Sequence, residues 1–196
     1  MFTGIISHLG KFKGHRRGKQ ELVLSSRPLI PLIGQGESLA VNGVCLSLIR
    51  KERDLLIFNL SEETLQRTTL GDLRSGDALN LELPVTLNTL LSGHLVSGHI
   101  DEKGKISSIR EKSGGRRVEI QISPENRPYL IAKGSVALDG ISLTVADLGP
   151  SSFAVELIPI TLQETNLGLR RRGDRINLEY DIFGKYVYNW MRQNES

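Results

Sequence analysis

The chain of 196 residues contains one cysteine, which excludes an intrachain disulfide and a thiolate-cluster metal site. Aromatic residues are also scarce, at 5%. Basic runs at Arg16-Arg17, Arg116-Arg117 and Arg170-Arg171-Arg172 therefore lack the interleaved rings of a nucleic-acid face. They are read as solvated loops, and no nucleic-acid partner is expected. Nowhere do 18 apolar residues run consecutively, and the opening "MFTGIISHLGKFKG" has no basic region followed by a long apolar stretch. No membrane partner is expected, and a cytoplasmic location is the simplest inference. A phosphate-cradling G-x-x-x-x-G-K loop is missing too. What the chain does have is 39% hydrophobic and 24% charged residues with a net charge of +3, the balance of a chain that folds around a core.

It also has a repeat. Sliding the sequence by 97 places lays "NGVCLSL" (42–48) on "DGISLTV" (139–145), with Ser142 replacing Cys45. The same shift carries "TLQRTTLGDLRSGDALNLEL" (64–83) onto "TLQETNLGLRRRGDRINLEY" (161–180), and a shift of 94 aligns "FTGII" (2–6) with "VSGHI" (96–100). The chain divides into two related domains, 1–90 and 95–183, with a terminal segment over 184–196.

Within each domain the apolar residues alternate in short runs bounded by glycine or charge, as strands do. "ELVLSS", "ESLAVNGVCLSLI", "LLIFNL" and "ALNLEL" have counterparts in "RVEIQIS", "GSVALDGISLTV", "FAVELI" and "RINLEY". The expected fold class is all-β: two tandem, sequence-related, six-stranded Greek-key-like barrels followed by a carboxy-terminal α-helix. Closure is favoured because it leaves no exposed sheet edge. Short helices are expected near 62–67 and 160–165. At the end, Ile182, Phe183, Tyr186, Val187, Trp190 and Met191 recur at helical spacing, a stripe expected to pack against another subunit.

Few residues offer chemistry. His94 and His99 stand five apart, so in a strand their rings face opposite ways, and no metal is expected. An imidazole is a candidate proton carrier near neutral pH. With 42–48 read as one strand, Val41, Gly43, Cys45 and Ser47 share a face, as do Leu138, Gly140, Ser142 and Thr144. A surface mixing glycine, hydroxyl and thiol suits a pocket that admits a flat ligand. "NLSEET" (59–64) and "LIPITL" (157–162) end a strand and open a helix, where unpaired N–H groups suit ligand oxygens.

Taken in order, "MFTGII", "GESLAVNGVCLSL", "SGHLVSGHID", "KGSVALDGISLTV" and "IPITLQETNLG" closely resemble the alpha-type riboflavin synthases, which are built from two lumazine-binding barrels. The resemblance covers nearly the whole chain. It implies a transferase that dismutates two molecules of 6,7-dimethyl-8-ribityllumazine into riboflavin and 5-amino-6-ribitylaminouracil, with no cofactor. It also implies a homotrimer joined by the terminal helix, with the active site between the amino-terminal barrel of one subunit and the carboxy-terminal barrel of another. Association with a lumazine synthase shell stays open. Carried over residue by residue, a first pocket uses Gly4, Ile5, Ile6, Cys45, Leu46, Ser47, Asn59, Leu60, Ser61, Glu62, Glu63 and Thr64, with Phe2 helping to close it. A second uses Gly98, His99, Ile100, Lys133, Ser142, Leu143, Thr144, Leu157, Ile158, Pro159, Ile160, Thr161 and Leu162. His99 is expected to transfer the proton, with Ser38, Cys45 and Asp181 as supporting polar groups of the first site and its neighbour. Ser47 stands where relatives often have threonine, and Ile160 where they are often polar. The alternative on the same fold is a non-catalytic lumazine or flavin carrier.

Overall fold

A computed structural model describes residues 1–194. Two closed six-stranded barrels follow one another, each wholly antiparallel. The first is built from β1 (His8–Arg16), β2 (Glu21–Ser25), β3 (Ser38–Val41), β4 (Val44–Glu52), β5 (Leu55–Asn59) and β6 (Ala78–Glu82), in the spatial order β1-β2-β5-β4-β3-β6. The second repeats that order with β7 (Glu102–Lys112), β8 (Gly115–Gln121), β9 (Ser135–Leu138), β10 (Ile141–Leu148), β11 (Ser152–Leu157) and β12 (Arg175–Tyr180). The long connection from β2 past β5 and β4 to β3 gives the Greek-key character.

Alternation accounts for both cores. Phe12, Leu22, Leu24, Leu39, Leu48 and Phe58 point inward in the first barrel, and Ile106, Ile120, Val136, Val145, Phe153 and Tyr180 in the second. Even the irregularities repeat: the register slips between Leu48 and Arg50 and again, 97 residues on, between Val145 and Asp147. Bulges of this kind add the bend that a small closed sheet needs.

The stretch 42–48 is not one strand. Asn42 and Gly43 both take positive φ, 46° and 79°, and turn the chain from β3 into β4 as a tight hairpin. Asp139 and Gly140, at 44° and 82°, do the same between β9 and β10. This breaks the single face expected for Val41, Gly43, Cys45 and Ser47: Val41 lies in the core, and the outward face resumes only at Cys45. The two hairpin tips meet back to back, because a Cβ on Gly43 would lie 2.6 Å from the Gly140 nitrogen.

A polar lattice locks this seam. The Asn80 amide donates to the Asp139 carbonyl at 3.0 Å, and the Asn177 amide to the Asn42 carbonyl at 2.9 Å. The Asn166 and Thr69 backbone N–H groups donate to the Asn80 and Asn177 side chains, both at 2.7 Å. Arg170 completes it by pairing with the fully buried Asp139.

Helices α1 (Glu62–Arg67) and α2 (Pro159–Glu164) take matching places in the two domains, Leu65 packing on the first core and Leu162 on the second. Helix α3 (Ile182–Asn194) starts two residues before the 184–196 segment, whose residues 195–196 lie outside the described ones. It is tethered by Lys185 to Asp101 and by Tyr188 against Tyr129, and leaves Phe183, Tyr186, Val187, Trp190 and Met191 exposed.

Candidate active site

The outward faces of β4 and β10 meet two short arms, residues 3–6 and 97–100, that precede the first strand of each barrel. Glu82, at the end of β6, accepts from Thr3 N and Thr3 Oγ1, both at 2.7 Å, and from Gly4 N at 3.1 Å. Glu179, in β12, accepts from Ser97 N and Ser97 Oγ, both at 2.6 Å, and from Gly98 N at 2.9 Å. Burial pushes the Glu82 carboxyl above the usual carboxylate range, and these donors pull it partly back.

Each arm then lies on the other barrel. The Gly98 carbonyl accepts from Cys45 N at 2.9 Å, and the Gly4 carbonyl from Ser142 N at 2.8 Å. Ile100 packs on the first core and Ile6 on the second. The grouping expected from the sequence is thereby exchanged: Gly98, His99 and Ile100 join Cys45, while Gly4, Ile5 and Ile6 join Ser142. The glycines make the approach possible, since a Cβ on Gly98 would sit 2.5 Å from that of Cys45, and one on Gly4 2.6 Å from that of Ser142.

Around Cys45 a cavity of about 240 Å³ is lined by Val44, Cys45, Glu63, Thr64, Arg67, Thr68, Gly98, His99 and Ile100. Ser61 caps α1, its Oγ accepting from Thr64 N at 3.1 Å. Ser38 and Ser47 face one another across β3 and β4, two pairs beyond Ala40 and Cys45, so Ser38, Cys45 and Ser47 continue one surface. Val44, Arg67 and Thr68 were not anticipated. The signal for the latter two was available, because Glu63, Thr64, Arg67 and Thr68 fall on one face of a helix. Asn59 and Glu62 are exposed and are not among the residues lining the cavity.

On the second barrel, Ser142 Oγ meets His94 Nδ1 at 2.7 Å. The His94 ring is buried and its Nε2 has no partner among the described residues. Burial lowers its pKa below the ordinary imidazole value, and the charge of Asp181 opposes that. Asp181 thus acts electrostatically on His94, on the Ser142 side of the molecule, and its Oδ1 accepts from Phe183 N at the start of α3. In β10 and around the start of α2, Thr144, Ile158, Pro159 and Ile160 are exposed, and Leu143, Thr161 and Leu162 half-buried. Lys133 stands at a positive φ, its N–H bonded to the Val145 carbonyl at the bulge.

Some expected wall residues turn inward. Leu46, Leu60 and Leu157 belong to the barrel cores, so only their backbones face outward. Phe2, expected to help close the pocket, is fully buried at the seam with Ala40, Val96 and Ala137, beside Cys45, and forms a β-bridge to Val96. A wider groove of about 570 Å³ lined by Arg74, Asp77, Arg170 and Asp174 lies elsewhere along the seam and holds none of the expected site residues. The Cys45 cavity is smaller, but it carries the thiol and the imidazole.

The lumazine binding domain model matches residues 3–84 and 97–181, once for each barrel. Over 193 residues the chain is 41% identical to riboflavin synthase of Actinobacillus pleuropneumoniae, covering 97% of this chain and 90% of that protein. The riboflavin synthase of Mycobacterium bovis is 40% identical over 202 residues, covering 98% of both. Among solved structures, LumP complexed with 6,7-dimethyl-8-(1'-D-ribityl) lumazine shares the fold with a TM-score of 0.82, at 22% identity over 91% of this chain and 98% of that one.

Proposed function

From the premise that the chain belongs to the riboflavin synthase family of paired lumazine-binding domains, we propose that each barrel holds one lumazine against its borrowed arm. The activity is that of riboflavin synthase, a transferase: two molecules of 6,7-dimethyl-8-ribityllumazine exchange a four-carbon unit and leave as riboflavin and 5-amino-6-ribitylaminouracil.

The observation that carries the two-site reading is one cradle built twice with different reactive groups. The first has the thiol of Cys45 with the imidazole of His99, and the second has the Ser142 hydroxyl with His94. At the position matching His99, 94 residues earlier, the second cradle has Ile5. Identical ligands thus meet unlike surroundings, which assigns one as donor and the other as acceptor. In this reading His99 moves the proton of an acidic ring methyl, Cys45 and Ser38 offer polar contacts, and Asp181 acts through His94. Fixing two reactants face to face replaces a bimolecular encounter with an intramolecular step.

The Cys45 cavity has no lining residue from β10 or α2. This supports a homotrimer in which the second barrel comes from a neighbouring subunit, with the exposed stripe of α3 as the contact. Among the described residues no helix is long and apolar enough to cross a membrane, which accords with a cytoplasmic enzyme. Incubating the purified protein with the lumazine and following riboflavin absorbance tests the activity; lumazine bound but unchanged would make it a carrier. Light scattering tests the trimer, and co-sedimentation tests a lumazine synthase shell.

A further inference from the structure

We propose that Glu179 and Glu82 are positioning residues that act across the seam, each setting the wall of the site on the barrel opposite its own. This rests on the two-site reading above. Glu179 belongs to β12 of the second barrel, yet all three of its hydrogen bonds hold the arm that roofs Cys45 in the first. Glu82 belongs to β6 and holds the arm that roofs Ser142.

A carboxylate buried this deeply costs free energy unless its lone pairs are satisfied. Both are nearly inaccessible, at 6% for Glu82 and 2% for Glu179. Neither has a salt-bridge partner among the described residues, so their compensation comes from the arms. The link continues one residue further. Ser97 Oγ donates to Glu179 and accepts from His99 N at 3.2 Å, just as Thr3 Oγ1 donates to Glu82 and accepts from Ile5 N at 3.2 Å. The backbone that carries the imidazole is thus hung from a carboxylate in the opposite barrel. An amide there would set an NH₂ group against either the Gly98 N–H or the Ser97 N–H, so glutamine keeps only part of the clasp.

Cys45 provides a reporter that needs no substrate, since it is the sole thiol and lies half-buried under the arm. The rate at which an aromatic disulfide reagent releases its coloured thiolate on reaction with Cys45 reports how closely the arm is held over the thiol, because a loosened arm widens the approach through the cavity. Glu179→Gln is expected to raise that rate at least about tenfold, and Glu179→Ala further, because charge-assisted bonds are lost in two steps. Glu82→Gln, acting on the other arm, is expected to leave it within about twofold of the parent protein. In the riboflavin assay Glu179→Gln is expected to lower kcat/KM at least about tenfold. Equal acceleration by Glu82→Gln and Glu179→Gln would indicate general loosening and overturn the proposal, as would unchanged labelling in both Glu179 variants. Faster labelling with unchanged turnover would overturn the link from clasp to site. Should the Glu179 variants not fold, Ser97→Ala removes the middle bond and is judged by the same two readouts. A parent protein that makes no riboflavin would sink the activity reading, while the labelling rates would still decide the clasp.

Discussion

The two barrels share strand order, bulges, hairpin tips and arms, and differ where chemistry is sited. Cys45 and His99 line the cavity of the first; at the second, Ser142 meets the buried His94 and the arm that carries Ile5. His94 precedes the part of the arm that has an amino-terminal counterpart, so the second cradle carries an extra group that duplication of the first did not supply. The difference teaches that a duplicated fold can keep its scaffold and diverge at a few outward positions. Such positions touch neither core.

The hardest way to break the comparison is at the imidazole. His99→Ala is expected to lower kcat by roughly 100-fold or more with little change in KM, since it removes a proton carrier rather than a wall, whereas Ile5→Ala should cost only a few-fold. Steady-state kinetics on both variants checks this, and equal losses would erase the assigned asymmetry. Next come the arms. Gly98→Ala and Gly4→Ala each force a Cβ into the opposite strand at a positive φ, and each should lower turnover on the order of 100-fold by displacing one ligand. Titration with the lumazine should find one of the two sites weakened in each variant, and a different one in each.

A third contrast concerns the seam. Asp139 has Arg170 beside it, but its counterpart Asn42 has Leu73 in the arginine's place. Asn42→Asp therefore buries a charge without a cation and is expected to cost about 3 kcal/mol in a denaturant melt. Asp139→Asn should cost less, about 1–2 kcal/mol, because Arg170 keeps some access to water. The smallest effect is in pH. His94 has its pKa lowered by burial, so the folded chain takes up this proton later than the unfolded chain as pH falls. The stability tied to the neutral ring is present above the ordinary value of 6.5 and is lost as pH falls from there through the folded pKa. Melting temperatures between about pH 7.5 and about pH 5 should fall more steeply for the parent than for His94→Gln.

Much of this was legible in the sequence. Constant offsets of 97 and 94 revealed the duplication, and alternation at Val118, Ile120 and Ile122 gave a strand. The hairpins were missed although Asn-Gly and Asp-Gly are their usual signal, because the apolar residues on both sides made the alternation look unbroken through the turn. The exchange of arms was not legible at all. Periodicity gives the face a side chain points from, but the docking of an arm depends on carboxylates about 80 residues away, such as Glu82 for Thr3 and Glu179 for Ser97. Leu46 is placed in a pocket by family pattern alone, although strand parity turns it inward, and Leu60 and Leu157 enter with helix-start segments whose N–H groups, not side chains, suit a ligand.

The crossed arms also bear on dissection of the gene. A fragment ending near residue 90 would keep the thiol-bearing strand and lose the segment that roofs it. Two such fragments, however, could each lend the other residues 3–6, so that a half-length product would be expected to pair reciprocally, with Ile5 standing at both mouths where the complete polypeptide has His99 at one.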